Sequence, residues 1–150
     1  MTTLKAQLQE DLTAAIRERD ELRSSTIRLT LAAVTSEEVA GKEKRELSDA
    51  EVLKVLAREA KKRREAAEAF DNAGRTAQAD RERAEGVVLG GYLPKQLTDE
   101  ELVAIVAAAV AESGATGPQG MGAVMKLVKP QVDGLAEGGR VAAVVKAALS

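Results

Sequence analysis

Apolar residues open the chain at helical spacing: Leu4, Leu8, Leu12 and Ile16, then Leu22, recur with charged residues between them. A period of three to four residues predicts an amphipathic helix rather than a strand, which would alternate every second residue. Asp20 can cap a second helix with a buried stripe of Ile27, Leu31 and Val34, ending near Gly41, after which Lys42 to Glu46 reads as a charged turn. The two helices are expected to form a hairpin. Ser48 and Glu51 have the spacing of a capping box, in which each side chain satisfies a backbone N–H at the other's residue. The long helix behind it presents Val52, Leu56, Ala60, Ala67 and Phe70 inward, and Gly74 is placed to terminate it in the left-handed conformation. Thr76 to Leu89 predicts a fourth helix with a thin contact stripe, held mainly by packing on its neighbours.

Gly90-Gly91-Tyr92-Leu93-Pro94 breaks this pattern, because glycine loosens the backbone while Pro94 removes a donor and disfavours helix at the residue before it. The expected domains are therefore 1–91 and 92–150, with Tyr92, Leu93 and Pro94 as the joint. Thr98 and Glu101 repeat the capping-box spacing ahead of an apolar helix from Leu102 to Ser113, stopped at Gly114. Seven of the twelve glycines lie beyond the joint and divide the second part into three short helices. The middle one carries Val124, Leu127 and Val128 and meets Pro130; the last carries Val141, Val144, Val145, Ala148 and Leu149. The prediction is an all-α fold, four helices followed by a three-helix tail.

Composition narrows the chemistry. Rings make up 1% of the chain, only Phe70 and Tyr92, so the cores must be filled by Leu, Val, Ile and Ala. With no cysteine and no histidine, thiolate nucleophiles, disulfides, imidazole bases and the usual zinc ligands are excluded together. Charges interrupt the first twenty residues, so no secretion signal is drawn, and the apolar run from Leu102 to Ala111 is too short for a bilayer, which needs about 20 residues. A cytoplasmic protein is expected. Before Tyr92, 17 basic and 18 acidic residues are interleaved; from Tyr92 onward there are five and six.

Several separated stretches resemble the GatB/YqeY family of bacterial proteins over nearly the whole length. They are Tyr92 to Leu102 (YLPKQLTDEEL), Gly114-Ala115, Met121-Gly122-Ala123-Val124-Met125, and Pro130, Gly134, Gly138, Val141 and Val145. In the first part Leu47-Ser48-Asp49-Ala50-Glu51, the run Lys61 to Arg64 and Ala73-Gly74-Arg75 also fit. One departure is Gly120, where the family often has an acidic residue. The resemblance implies a four-helix part followed by a three-helix tail similar to the one that closes the GatB-type component of the aminoacyl-tRNA amidotransferase. There the tail helps hold tRNA, while the chemistry resides in a domain with no counterpart in this chain. What it implies is a partner, tRNA or a tRNA-amidation or translation assembly, with no cofactor, no catalytic or metal-binding residue, no membrane and no DNA. The alternatives are a helical protein-interaction adaptor without an RNA role, or a carbon–nitrogen ligase using glutamine as amide donor.

Two groups of basic residues are candidates for RNA phosphates. Lys61 to Arg64 wraps about 300° of a helix, so the usable grouping on one side is Lys54, Arg58, Lys61 and Lys62. Pairing of Glu65 with Lys61, Glu59 with Arg63 and Glu68 with Arg64 makes a solvated salt-bridge face the stronger reading there. In the tail, Lys126, Lys129, Arg140 and Lys146 sit among small and apolar residues and could bind phosphates without reading sequence; the plain alternative is that they only keep the surface soluble. Tyr92 is read as packing into the joint with its hydroxyl near water.

Overall fold

The computed structural model describes residues 2–150, and among these it is all-helical, with seven α-helices and no strand. They are α1 (Leu4–Arg17), α2 (Glu21–Glu38), α3 (Asp49–Asn72), α4 (Thr76–Gly90), α5 (Asp99–Ser113), α6 (Met121–Val132) and α7 (Gly138–Leu149). The chain divides into two compact units, one ending at Leu93 and the other running from Pro94 to Ser150. Tyr92 and Leu93, expected to open the tail, instead pack on the core of the first unit. No helix among the described residues is long and apolar enough to cross a membrane.

Local chemistry sets the helix starts of the first unit. Thr3 caps α1 by accepting from the Ala6 N–H (3.1 Å), and Asp20 caps α2 by accepting from the Arg23 N–H (3.0 Å). Ser48 and Glu51 form the reciprocal box on α3. The α3 end is a Schellman motif: Gly74 has φ 73°, its N–H reaches the Asp71 carbonyl (3.0 Å), and the Arg75 N–H reaches Phe70 (2.8 Å). The α1 end has the same two bonds, Arg19 N–H to Ile16 (3.1 Å) and Asp20 N–H to Ala15 (2.9 Å), but Arg19 occupies the left-handed position at φ 57°. An arginine there carries strain that glycine would not.

The core of the first unit is Leu8, Ile27, Val34, Val52, Val55, Leu56, Ala60 and Leu89, with Leu4, Leu12 and Leu31 partly buried against it. Leu22 belongs to α2 rather than α1, and Ile16 is half exposed at 48%, against expectation. A repeat of four residues advances about 400°, so by Ile16 the stripe has drifted off the core and Ala15 takes the inward place. Thr26 and Thr30 are buried inside α2, where their hydroxyls donate back to the carbonyls of Leu22 (2.7 Å) and Thr26 (2.8 Å). Glu38, at the α2 end, is also buried, and its carboxylate accepts from Lys5 Nζ at 2.9 and 3.1 Å. The Lys5 ammonium holds this carboxyl below the ordinary glutamate range against the opposing effect of burial, and the Leu47 N–H adds to the lowering.

The second unit is built on three stripes: Leu102, Val106 and Ala109 of α5; Val124, Val128 and Val132 of α6; Val141, Val145 and Leu149 of α7. Spacings of three and four residues keep each set on one face, and each fully buried Val or Leu contributes about 1.5–3 kcal/mol. Ala148, expected on the buried stripe of α7, is exposed. Thr98 and Glu101 form the box that starts α5, and Gly114 ends it at φ 66°. Pro130 lies inside the last turn of α6, which continues to Val132 rather than stopping at the proline.

Two outcomes follow. Replacing Arg19 with glycine removes the strain of the left-handed site at a smaller cost in chain entropy, so Arg19→Gly should raise unfolding stability by about 0.5–1 kcal/mol in a urea titration. Because the Glu38 carboxyl is held lower in the folded chain than in the unfolded one, its stabilisation is complete above the ordinary glutamate range and is lost as pH falls through the folded value. The Glu38→Gln variant should therefore be less stable near neutrality, and its urea midpoint should fall less steeply than the parent's between about pH 6 and pH 3.

Candidate nucleic-acid interface

On α3, the side that carries Lys54, Arg58, Lys61 and Lys62 faces solvent, and most of its charge is matched. Arg58 pairs with Glu37 of α2 at 3.2 Å, and Lys61 lies 4.0 Å from Glu65. Lys62 pairs with Glu59 at 3.0 Å. Glu59 is itself buried, so Lys62 helps neutralise a carboxylate withdrawn from water. The expected Glu59 to Arg63 pair is present at 3.7 Å, and Arg63 also reaches Glu82 and Glu85 of α4, both at 3.5 Å. Arg81 of α4 continues the lattice to Glu85 (3.1 Å) and to Glu21 of α2 (2.9 Å). Of these, Arg58, Arg63 and Arg81 bridge α2, α3 and α4. Diverting Lys62 or Arg63 to a phosphate would leave buried acids undercompensated. Lys54 alone of the four makes no ion pair with a described residue.

Tyr92 is partly buried and its hydroxyl donates to the Asp11 carboxylate of α1, rather than resting in water. Asp11 also accepts from Gln7 (2.9 Å) and lies 3.8 Å from Arg23. Burial first, and then the Asp11 carboxylate, push the Tyr92 phenol well above its ordinary range, so it stays protonated and serves as a tether. Leu93 packs beside it, and Pro94 begins the second unit.

In the second unit the four tail candidates separate into two kinds. Arg140 donates to the Leu97 carbonyl (2.7 Å) and to Asp99 (2.8 Å), fastening the start of α7 to the start of α5. Gln96, which donates to the Gly134 carbonyl (3.1 Å), and the Leu97 N–H, which donates to Leu135 (2.8 Å), complete this clasp. Arg140, a candidate phosphate contact from sequence, is thus occupied as a structural fastener. Lys126, Lys129 and Lys146 are exposed and make no ion pair with a described residue.

Helical geometry places these lysines. Lys126 and Gly122 lie on the outer face of α6, away from the buried Val124, Val128 and Val132, with Lys129 on the adjoining flank, and Gly122 has no heavy atom within 4 Å of a would-be Cβ. On α7, Val144 and Lys146 flank the buried Val145 on opposite sides, at about 100° each way. Val144 lines a shallow apolar groove beside α5 with Val103, Ala107, Ala143, Ala147 and Ala148, so Lys146 lies on the other flank of α7.

Sorting the charges by helix gives a pattern that segment-by-segment reading misses. Every charged residue of α5 is acidic, Asp99, Glu100, Glu101 and Glu112, whereas every charged residue of α6 and α7 is basic, Lys126, Lys129, Arg140 and Lys146. The balanced total for the tail conceals a separation of sign between helices. The signal was present in the sequence once the helix bounds were fixed.

The start of α6 is made without a side-chain cap. Gly117 at φ 72° leads into a 3-10 turn over Pro118–Gly120, and the Gly120 N–H returns to the Gly117 carbonyl at 3.1 Å. Glycine at position 120 has a steric reason in this fold. A Cβ at Gly120 would lie 2.6 Å from the Ala115 Cβ, well inside contact distance.

Comparison with known proteins gives one clear match: the family model described as Yqey-like protein covers residues 5–149. No curated protein matches the chain.

Gly120→Ala should consequently strain the α5–α6 connection and destabilise the protein by about 1–3 kcal/mol, read from chemical denaturation. Adding Ala115→Gly removes the opposing methyl and should recover a large part of that loss; a double variant no better than Gly120→Ala would place the strain elsewhere.

Proposed function

The chain belongs to the YqeY-like protein family, and from that premise we propose that it is an accessory module that binds tRNA, alone or within a tRNA-processing assembly, through the α6–α7 side of its tail. The observation that carries the reading is the sorting of charge: two adjoining helices carry basic residues only, and three of the four are exposed and make no ion pair with a described residue. Phosphate groups provide the complementary ligand, since the acids beside these lysines stand only at the helix ends, Asp133 after α6 and Glu137 before α7. The α3 grouping is the weaker candidate because most of its cations are already paired with acids. A net charge of −2 makes the expected binding modest and strongly dependent on salt.

A second reading, a helical protein-interaction adaptor, draws on the apolar groove between α5 and α7, whose Val103 is 53% exposed. Capture of partners from cell extract before and after ribonuclease separates the two, because partners held through RNA are lost on digestion.

For the leading reading, tRNA affinity should fall as salt rises, and reversing Lys126 and Lys129 together to glutamate should weaken it sharply at low salt while flattening the dependence of log K on log salt by about two. An unchanged affinity in the doubly reversed protein would reject this surface.

A further inference from the structure

We infer that the tail recognises the phosphate backbone of paired RNA rather than unpaired bases, an inference that rests on the tRNA-binding reading above. Three observations on the second unit lead there. Both rings of the chain, Phe70 and Tyr92, precede Pro94, so the unit from Pro94 to Ser150 has no aromatic face on which a base could stack. Stacking on rings is a principal source of affinity in single-strand recognition, and arginine can substitute for a ring. The one arginine of this unit, Arg140, has its guanidinium committed to Leu97 and Asp99. What remains exposed are lysines, which act as point charges and favour the denser phosphate array of a duplex.

The placement of these lysines suits a backbone held in a fixed shape. Lys126 and Lys129 lie about 4.5 Å apart along the axis of α6, Lys126 opposite its buried stripe and Lys129 on the flank. Gly122 leaves that face without a side chain one turn before Lys126, so a strand can come close to the helix backbone. Lys146 adds a third cation on the flank of α7 turned away from the α5 groove. None of the three makes an ion pair with a described residue.

The test uses the full chain and three fluorescent probes in a salt series: an RNA hairpin with a long stem and minimal loop, a non-pairing single strand of equal length, and an unmodified tRNA transcript. The hairpin should bind with a log K against log salt slope near about −2.7, from three lysines at about 0.9 each, and the single strand at least about fivefold more weakly with a shallower slope. Lys146→Glu should reduce the hairpin slope by about one, with the helical circular dichroism unchanged. Binding of the single strand equal to or tighter than the hairpin overturns the inference. Binding of tRNA without the hairpin also overturns it while leaving the tRNA reading in place. No binding of any probe overturns both.

Discussion

The scarcity of rings, none of them fully buried, is the constraint on which the rest of this molecule depends. Leu, Val and Ala have to fill the space between helices, and at native density they do so only when the helices come close together. In the second unit the whole core is nine aliphatic side chains in three stripes. In the first, α4 passes so near α3 that a Cβ on Gly86 would lie 3.9 Å from the Arg63 Cβ. Close approach brings the surfaces beside those stripes into contact too, and they are charged. Glu59 and Glu85 are buried for that reason, and the guanidinium groups of Arg63 and Arg81 make their burial tolerable.

Much of the helical organisation could be read from the residues because it is governed by local rules. Capping needs a hydroxyl or carboxylate at one position and a partner three residues on, and Thr3, Asp20, Ser48 and Thr98 obey that rule without help from distant parts of the chain. Gly74 and Gly114 ended their helices for the same kind of reason. Local rules failed where two elements had to meet. Ile16 and Ala148 have apolar side chains at plausible spacing, yet Ala15 takes the inward place of Ile16, and on α7 Leu149 is buried as expected while Ala148 is not. Glu38 and Glu85 are charged, and periodicity assigns charge to water; only the arrival of Lys5 or Arg63 from another helix offsets the cost of burying them, whereas buried Glu59 finds Lys62 and Arg63 on its own helix.

The candidate site was legible to a lesser degree. Lys126 and Lys129 stood out in sequence because few acids lie near them, and neither makes an ion pair with a described residue. Arg140 looked equivalent to them, but its partners are Leu97 and Asp99, more than forty residues earlier. No local pattern reveals such a clasp. Conversely, Tyr92 appeared as a residue of the joint and became a tether to Asp11, which lies 81 positions away.

For a tail that binds a polyanion as proposed, the separation of sign between α5 and the α6–α7 pair would also act before any contact is made. Opposite charges fixed to different helices give this unit an electric moment, so an approaching polyanion exerts a torque on it as well as a force. The torque turns the basic helices forward and the acidic one back, raising the fraction of encounters that begin in a productive orientation. A slightly acidic protein can thereby present its cationic side to a strand that its net charge of −2 would repel.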